Sequence, residues 1–252
     1  MKVVFLCAGY GTRLYPLTEN RPKPLLVVGG EVLLTRLLKK LESLSDMDRI
    51  VIVSNDRFYE NFRKWKETIS KHVLLNIIND GTKTPESRLG AIQDLKLALK
   101  EIGCDSDVLV LAGDNLFDSS LDPFVSFARS KGAAASIGVY DVQDRTLAQK
   151  YGLIKTDSSG KITAFFEKPK DPPTTLASMG IYYFPKESLF LIDKYLESNR
   201  NPDAPGYYIS WLAKESSVFA FPFRGVWFDI GDFNTYERAD LHFGGRVNQQ
   251  NS

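Results

Sequence analysis

Short runs of Val, Ile and Leu alternate, through the first half of the chain, with segments whose apolar residues recur every three or four positions. The runs at residues 2–7, 49–54, 73–78 and 108–112 are apolar almost throughout, the pattern of strands covered on both faces. Between them, 31–44, 57–69 and 89–102 carry helical spacing. Leu33, Leu34, Leu37, Leu38 and Leu41 make a core-facing stripe in the first helix, and Phe58, Tyr59, Phe62 and Trp65 a packing face in the second. Such alternation predicts right-handed crossovers and a mainly parallel sheet, with ligands at the carboxyl ends of its strands.

From residue 133 the pattern changes. Residues 133–140, 151–156, 161–166 and 177–184 read as strands, with Ser158-Ser159-Gly160 as a hairpin turn. A helix is predicted at 186–198, followed by a loop rich in Asn, Pro and Gly. Late strands are read at 218–223 and 226–228, then a helix at 234–243 with Asp232 as its N-cap, and a polar, frayed tail over 244–252. No Pro-, Gly- or Ser-rich linker divides the sequence, so residues 1–252 are expected to form one domain.

The 252 residues suffice for one large α/β domain. An apolar content of 43 % and a charged content of 25 % fit a soluble globular protein, and a net charge of +1 gives no sign of a nucleic-acid partner. No apolar run approaches the ~20 residues that cross a bilayer. The first residues enter a strand pattern without a basic and apolar leader, and Cys7 (a buried strand position) and Cys104 (a loop position) make no disulfide framework. A reducing cytoplasm is the expected setting, with no membrane partner. His72 and His242 stand apart, which argues against zinc.

The chemistry concentrates where the first strand ends. Ala8-Gly9-Tyr10-Gly11-Thr12-Arg13 is a glycine loop closed by a guanidinium, and Lys23 follows between Pro22 and Pro24. Gly9 and Gly11 allow backbone N–H groups to approach phosphate oxygens. Arg13 offers a planar fork and Lys23 a point charge. The loop lacks the Gly-Lys-Ser/Thr of a Walker A motif and the third glycine of a dinucleotide fingerprint. Asp114 follows the strand 108–112, where a carboxylate serves either a turn or a Mg²⁺ ion. Asp229 lies in Trp227-Phe228-Asp229-Ile230-Gly231.

Gly-x-Gly-Thr-Arg-Leu-x-Pro-Leu-Thr with the following Pro-Lys-Pro resembles the signature of the sugar-phosphate nucleotidylyltransferases. The resemblance runs from Lys2 to about Ala239, in four motifs, and is strongest to glucose-1-phosphate thymidylyl- and uridylyltransferase catalytic domains. It implies a Rossmann-like (GT-A-like) three-layer α/β sandwich, mainly parallel, with an antiparallel sugar-binding subregion. Residues 1–132 would be the nucleotide half, 133–243 the sugar-phosphate half and 244–252 a tail.

By the same resemblance Arg13 and Lys23 are catalytic. Ala8, Gly9, Gly11, Thr12, Asn79, Arg88 and Gly90 would bind nucleotide. Tyr151, Gly152, Glu167, Lys168 and Gly180 would bind sugar phosphate, although Ser178-Met179 replaces the Asn-Ala that often precedes this glycine in relatives. Asp114 and Asp229 would hold Mg²⁺. The insert Lys83-Thr84-Pro85-Glu86 matches no pattern that names the base. The expected reaction joins an NTP to a sugar 1-phosphate by direct displacement, with glucose 1-phosphate and dTTP or UTP as first expectation. The partners would be these small molecules, and a homo-oligomer is compatible. No hexapeptide repeat of the kind some relatives carry is read in the chain. Two alternatives are a cytidylyltransferase for an alcohol phosphate such as phosphocholine, and a regulatory homologue that binds sugar nucleotides without turnover.

Overall fold

The computed structural model describes residues 1–69 and 74–247. Its strands are β1 (Lys2–Leu6), β2 (Val27–Val28), β3 (Glu31–Val32), β4 (Arg49–Ser54), β5 (Leu75–Asn79), β6 (Val108–Ala112) and β7 (Asn115–Phe117), then β8 (Ala135–Asp141), β9 (Gly152–Thr156), β10 (Ile162–Glu167), β11 (Leu176–Phe184), β12 (Val218–Pro222) and β13 (Trp227–Asp229). The helices are α1 (Leu33–Lys39), α2 (Tyr59–Lys66), α3 (Ala91–Ile102), α4 (Asp122–Ser130), α5 (Arg145–Ala148), α6 (Phe190–Glu197), α7 (Pro205–Glu215) and α8 (Phe233–Val247).

Nine strands form one sheet in the order β10-β9-β11-β6-β1-β4-β5, with β8 also on β11 and β12 on β8. Strands β6, β1, β4 and β5 are parallel; β11, β9 and β10 pair antiparallel. Strand alternation sets the layers. Val3 and Phe5 point into a core shared with α1, α2 and α4, while Val4 points into a second core shared with α3, α6 and α7. All three are fully buried, which explains the unbroken apolar run. The result is the expected three-layer α/β architecture. Because β1, β5 and β6 are parallel, the loops after Leu6, Asn79 and Ala112 open on one edge.

Several elements differ from the expectation. Glu31 and Val32 are not helical but pair with β2, because Gly29 and Gly30, at φ 59° and 78°, turn the chain into a hairpin first. The segment read as a loop before residue 218 contains α7. Pro205 occupies the first turn of that helix, where its missing N–H costs nothing, and Tyr208, Ile209, Trp211 and Leu212 are buried beneath it. Strand β7 and helices α4 and α5 were not anticipated. Helix α8 continues through Gly244 and Gly245 to Val247, so the expected tail at 244–252 is helical in its first residues; 248–252 lie outside the described residues. The expected strand 73–78 is observed as β5, and Val73 lies outside the described residues, as does His72. Among the described residues no helix is long and apolar enough to cross a membrane.

Candidate active site

Strand β1 hands the chain to the glycine loop, and the loop's shape follows from its neighbours. Gly11 has φ 63°, and its carbonyl accepts hydrogen bonds from Leu14 N (2.9 Å) and from buried Thr18 Oγ1 (2.7 Å). The distant Thr of the motif is thus a clamp on the loop. Ala8 is fixed from the other side, where Asn55 Nδ2 donates to its carbonyl at 2.8 Å. Thr12 and Arg13 follow in a short 3₁₀ turn and are exposed at the rim.

The Pro-Lys-Pro segment has a packing reason. A methyl group added to Gly113 would lie 2.4 Å from Cys7 Sγ and 2.9 Å from Pro24 Cγ. Pro24 and Gly113 therefore touch, and this contact brings Lys23 beside Asp114. Lys23 Nζ donates to Asp114 Oδ2 at 2.8 Å.

The Trp-x-Asp-x-Gly segment reaches the same point through β13, which pairs with β7 so that Asp229 stands opposite Asn115. Trp227 Nε1 donates to Asn115 Oδ1 at 2.7 Å, and Asn115 Nδ2 donates to Asp114 Oδ1 at 3.2 Å. Ile230 N donates to the Asp114 carbonyl at 3.0 Å. Burial, then the negative charge of Asp114, push the Asp229 carboxyl up to about 6, against the opposing pull of Lys23, Arg13 and Lys168. Charges from four separate parts of the chain are felt at one carboxylate.

The residues expected to bind sugar phosphate gather mainly on β9 and β10. Gly152 pairs with Glu167 in register, and a methyl at Gly152 would come 3.3 Å from Glu167 Oε2. Burial raises the Glu167 carboxyl above its ordinary value. Lys168 N donates to the Tyr151 carbonyl at 3.2 Å, and Lys168 has φ 44°, a left-handed conformation unusual for lysine. The Tyr151 ring lies 5.0 Å from that of Trp227, and burial with the charge of Asp229 pushes its phenol up to about 12. Gly180, at φ 70°, sits in a bulge of β11 against Ala112 Cβ and Asn115 Nδ2, so it backs the Asp114 segment directly.

Ala8, Gly9, Gly11, Lys23, Arg88, Gly90 and Asp114 line one cavity of about 240 Å³. Two expected nucleotide residues have protein partners. Asn79 Nδ2 donates to Asp56 at 2.7 Å, and Arg88 makes a two-pronged ion pair with Asp203 at 2.7 and 3.1 Å. The structure adds residues that the motifs do not name. Asn55 and Asn115 orient backbone and carboxylate. Carbonyls of Pro202 and Asp203 accept the first N–H groups of α3, so the segment before α7 closes the cavity beside Gly90. Gly206 then passes so near Glu167 that a methyl there would lie 2.5 Å from Oε2. Glycine and asparagine after a strand were the available signals.

The donor set bears on which cation the cleft could take. Among the described residues no cluster of three or more His, Cys, Asp or Glu could hold a metal. Two carboxylates that repel one another, with phosphate oxygens to complete the shell, suit Mg²⁺.

The sequence matches the nucleotidyl transferase family over residues 2–244. The chain belongs to the nucleotidyl transferase family. Among relatives of this nucleotidyl transferase, a Sulfolobus acidocaldarius protein with the provisional name mannose-1-phosphate guanyltransferase is 32% identical over 96% of this chain and 62% of its own length. A glucose-1-phosphate adenylyltransferase of Rhodopirellula baltica is 27% identical over 94% of this chain and 59% of its own. The chain thus spans about three fifths of these relatives. A Bacillus anthracis structure, provisionally named a glucose-1-phosphate thymidylyltransferase, superposes with TM-score 0.82 at 23% identity, covering 97% of this chain and 95% of that one, and establishes the shared fold.

Proposed function

We propose that this chain transfers a nucleotidyl group from a nucleoside triphosphate to a sugar 1-phosphate, giving an NDP-sugar and pyrophosphate. The observation that carries this reading is the Lys23–Asp114 ion pair at 2.8 Å, tied to the Asp229 segment by Ile230 N donating to the Asp114 carbonyl at 3.0 Å, with Arg13 and Lys168 near enough for their charges to act on Asp229. Two cations on the glycine-loop side, one on the sugar side and two carboxylates between them suit a reaction that joins two phosphates.

A sugar-phosphate oxygen attacks the α-phosphorus, and the bond to the β-phosphate oxygen breaks. No protein nucleophile is needed, so catalysis rests on positioning and charge stabilisation. Lys168 holds the sugar phosphate in line, and Glu167 accepts hydrogen bonds from sugar hydroxyls. Lys23 neutralises charge at the α-phosphate, and Arg13 receives the charge developing on the leaving pyrophosphate. Asp114 and Asp229 would hold Mg²⁺, which when bound neutralises the triphosphate. The relatives' names spread over different bases and sugars. The class therefore carries the proposal, and glucose 1-phosphate with dTTP or UTP is one pair within it.

Pyrophosphate release tests the reading. It is expected only when NTP, sugar 1-phosphate and Mg²⁺ are all present, and is lost in a folded Asp229→Asn variant. Release by that variant at the unaltered rate would remove Asp229 from the site.

A further inference from the structure

One buried charge in the cleft has no part in the chemistry above. Asp94 lies in the first turn of α3, four residues after Gly90, whose carbonyl accepts its N–H at 3.0 Å. Its residue is 6% exposed, yet the side chain lines the cavity with Ala8 and Gly9, and its Oδ1 has no hydrogen-bond partner among the described residues. A buried carboxylate oxygen without a partner is costly and calls for a ligand. The cavity's lining places it: Cys7, Ala8 and Gly9 from the end of β1 and Asp80 from the end of β5 line the same space as Asp94, and burial, then the charge of Asp80, raises the Asp94 carboxyl to about 7. It therefore stands under the glycine loop, between the ends of β1 and β5.

The surroundings select the part of a nucleotide that fits. Phosphate is disfavoured beside Asp94 itself, because a carboxylate repels it and the two cations that line this cavity are paired, Lys23 with Asp114 and Arg88 with Asp203. The cavity, about 240 Å³, is smaller than the ~300–1,000 Å³ of a whole-ligand pocket and suits one ring system. Leu6, Ala8, Ala91 and Ala112 wall it, apolar surfaces for a flat base. An ionised carboxylate only accepts hydrogen bonds. Guanine alone among the common bases offers two adjacent donors, N1–H and N2–H. Adenine and cytosine set a ring acceptor beside their amine, and uracil and thymine flank one N–H with carbonyls.

Resting on the nucleotidyl-transfer reading, we infer that Asp94 is a base-specificity residue: its carboxylate accepts N1–H and N2–H of guanine, making GTP the preferred nucleotide over the pyrimidine nucleotides expected from the sequence. Two donated hydrogen bonds favour the charged form, which offsets the effect of burial.

Calorimetric binding with Mg²⁺ tests this on the intact protein. GTP is expected to bind more tightly than ATP, CTP, UTP or dTTP. ITP, which lacks only the N2 amine, is expected to bind roughly 10- to 100-fold more weakly than GTP, the scale of one hydrogen bond to a charged group. In Asp94→Asn the GTP-to-ITP ratio should fall toward one. Equal binding of GTP and ITP by the unaltered protein, preference for another base, or an unchanged ratio in Asp94→Asn overturns the assignment and leaves nucleotidyl transfer standing. A loss with dGTP but not ITP moves Asp94 to the ribose and equally overturns it. Failure of every NTP to bind ends both readings. The ITP comparison needs no variant, so a misfolded Asp94→Asn protein does not blunt the test.

Discussion

Lys23 Nζ and Asp114 Oδ2 meet at 2.8 Å although 91 residues separate them. The lysine side chain is 13% exposed and the aspartate 32%. Pro24 seats against Gly113, so the pair is imposed by packing rather than by attraction alone. Under the proposed function, this ion pair would hold a cation and a Mg²⁺-binding carboxylate ready for a polyphosphate.

Lys23→Met should lower kcat by about 10²-fold or more, the scale for losing one charge-stabilising group, while thermal unfolding changes little. Lys23→Arg should restore little, because a planar fork does not reproduce the single point charge that Lys23 sets beside Asp114 at 2.8 Å. Steady-state kinetics with unfolding curves check both. Normal turnover in Lys23→Met would make the ion pair merely structural.

Lys168 should behave differently. It directly follows Glu167 at the end of β10 and is proposed to hold the sugar phosphate, so Lys168→Ala should raise KM for sugar 1-phosphate well beyond any change in KM for NTP. A fall in kcat should accompany it, because a loosely held nucleophile is misaligned for in-line attack. Separate titrations of the two substrates give the answer. A larger effect on NTP would reverse the assignment of the two lysines.

The packing under the pair predicts a steric result. Gly113→Ala places a methyl 2.4 Å from Cys7 Sγ, so one side must shift. The expected cost is about 1–3 kcal/mol of stability, the range for overpacking a filled core. Activity should fall more steeply than Tm suggests, since Asp114 is the next residue. Adding Cys7→Ala should recover part of the lost Tm.

Strand runs showed β1, β4 and β6 almost to the residue, because these strands are buried on both faces and read as unbroken apolar segments, whereas the stripe at 31–44 overran α1, which ends at Lys39. Periodicity failed at α7, where Pro205 and Gly206 resemble a loop but serve as a helix start and a close approach to Glu167. Motifs identified the cations and both carboxylates at the cleft. They were silent on Asn55, Asn115 and Asp203, whose hydrogen bonds with Ala8, Trp227 and Arg88 join residues far apart in the chain. Asp94 was invisible for another reason: within an amphipathic helix one aspartate reads as surface, and only its burial reveals it.

Asp94 also gives a pH signature. In the unfolded chain it ionises near the ordinary 3.8, and in the fold at about 7. The folded state therefore holds the proton more tightly between those values, and stability is lost as pH rises through that window. An asparagine side chain cannot ionise, so Asp94→Asn should raise the Tm of the ligand-free protein at about pH 8, with the gap closing toward about pH 4. At about 1.4 kcal/mol per pKa unit the upper bound is ~4 kcal/mol. Equal Tm values across the range would contradict the raised value.

Attack by the sugar-phosphate oxygen on the α-phosphorus is the central claim, and an isotope experiment tests it most directly. Sugar 1-phosphate carrying ¹⁸O in its phosphate is incubated with unlabelled NTP and Mg²⁺, and the products are weighed by mass spectrometry. Attack by the sugar phosphate on the α-phosphorus predicts an NDP-sugar that retains all the label and pyrophosphate that carries none. Label in pyrophosphate, or no NDP-sugar from any NTP and sugar 1-phosphate pair, would contradict the account.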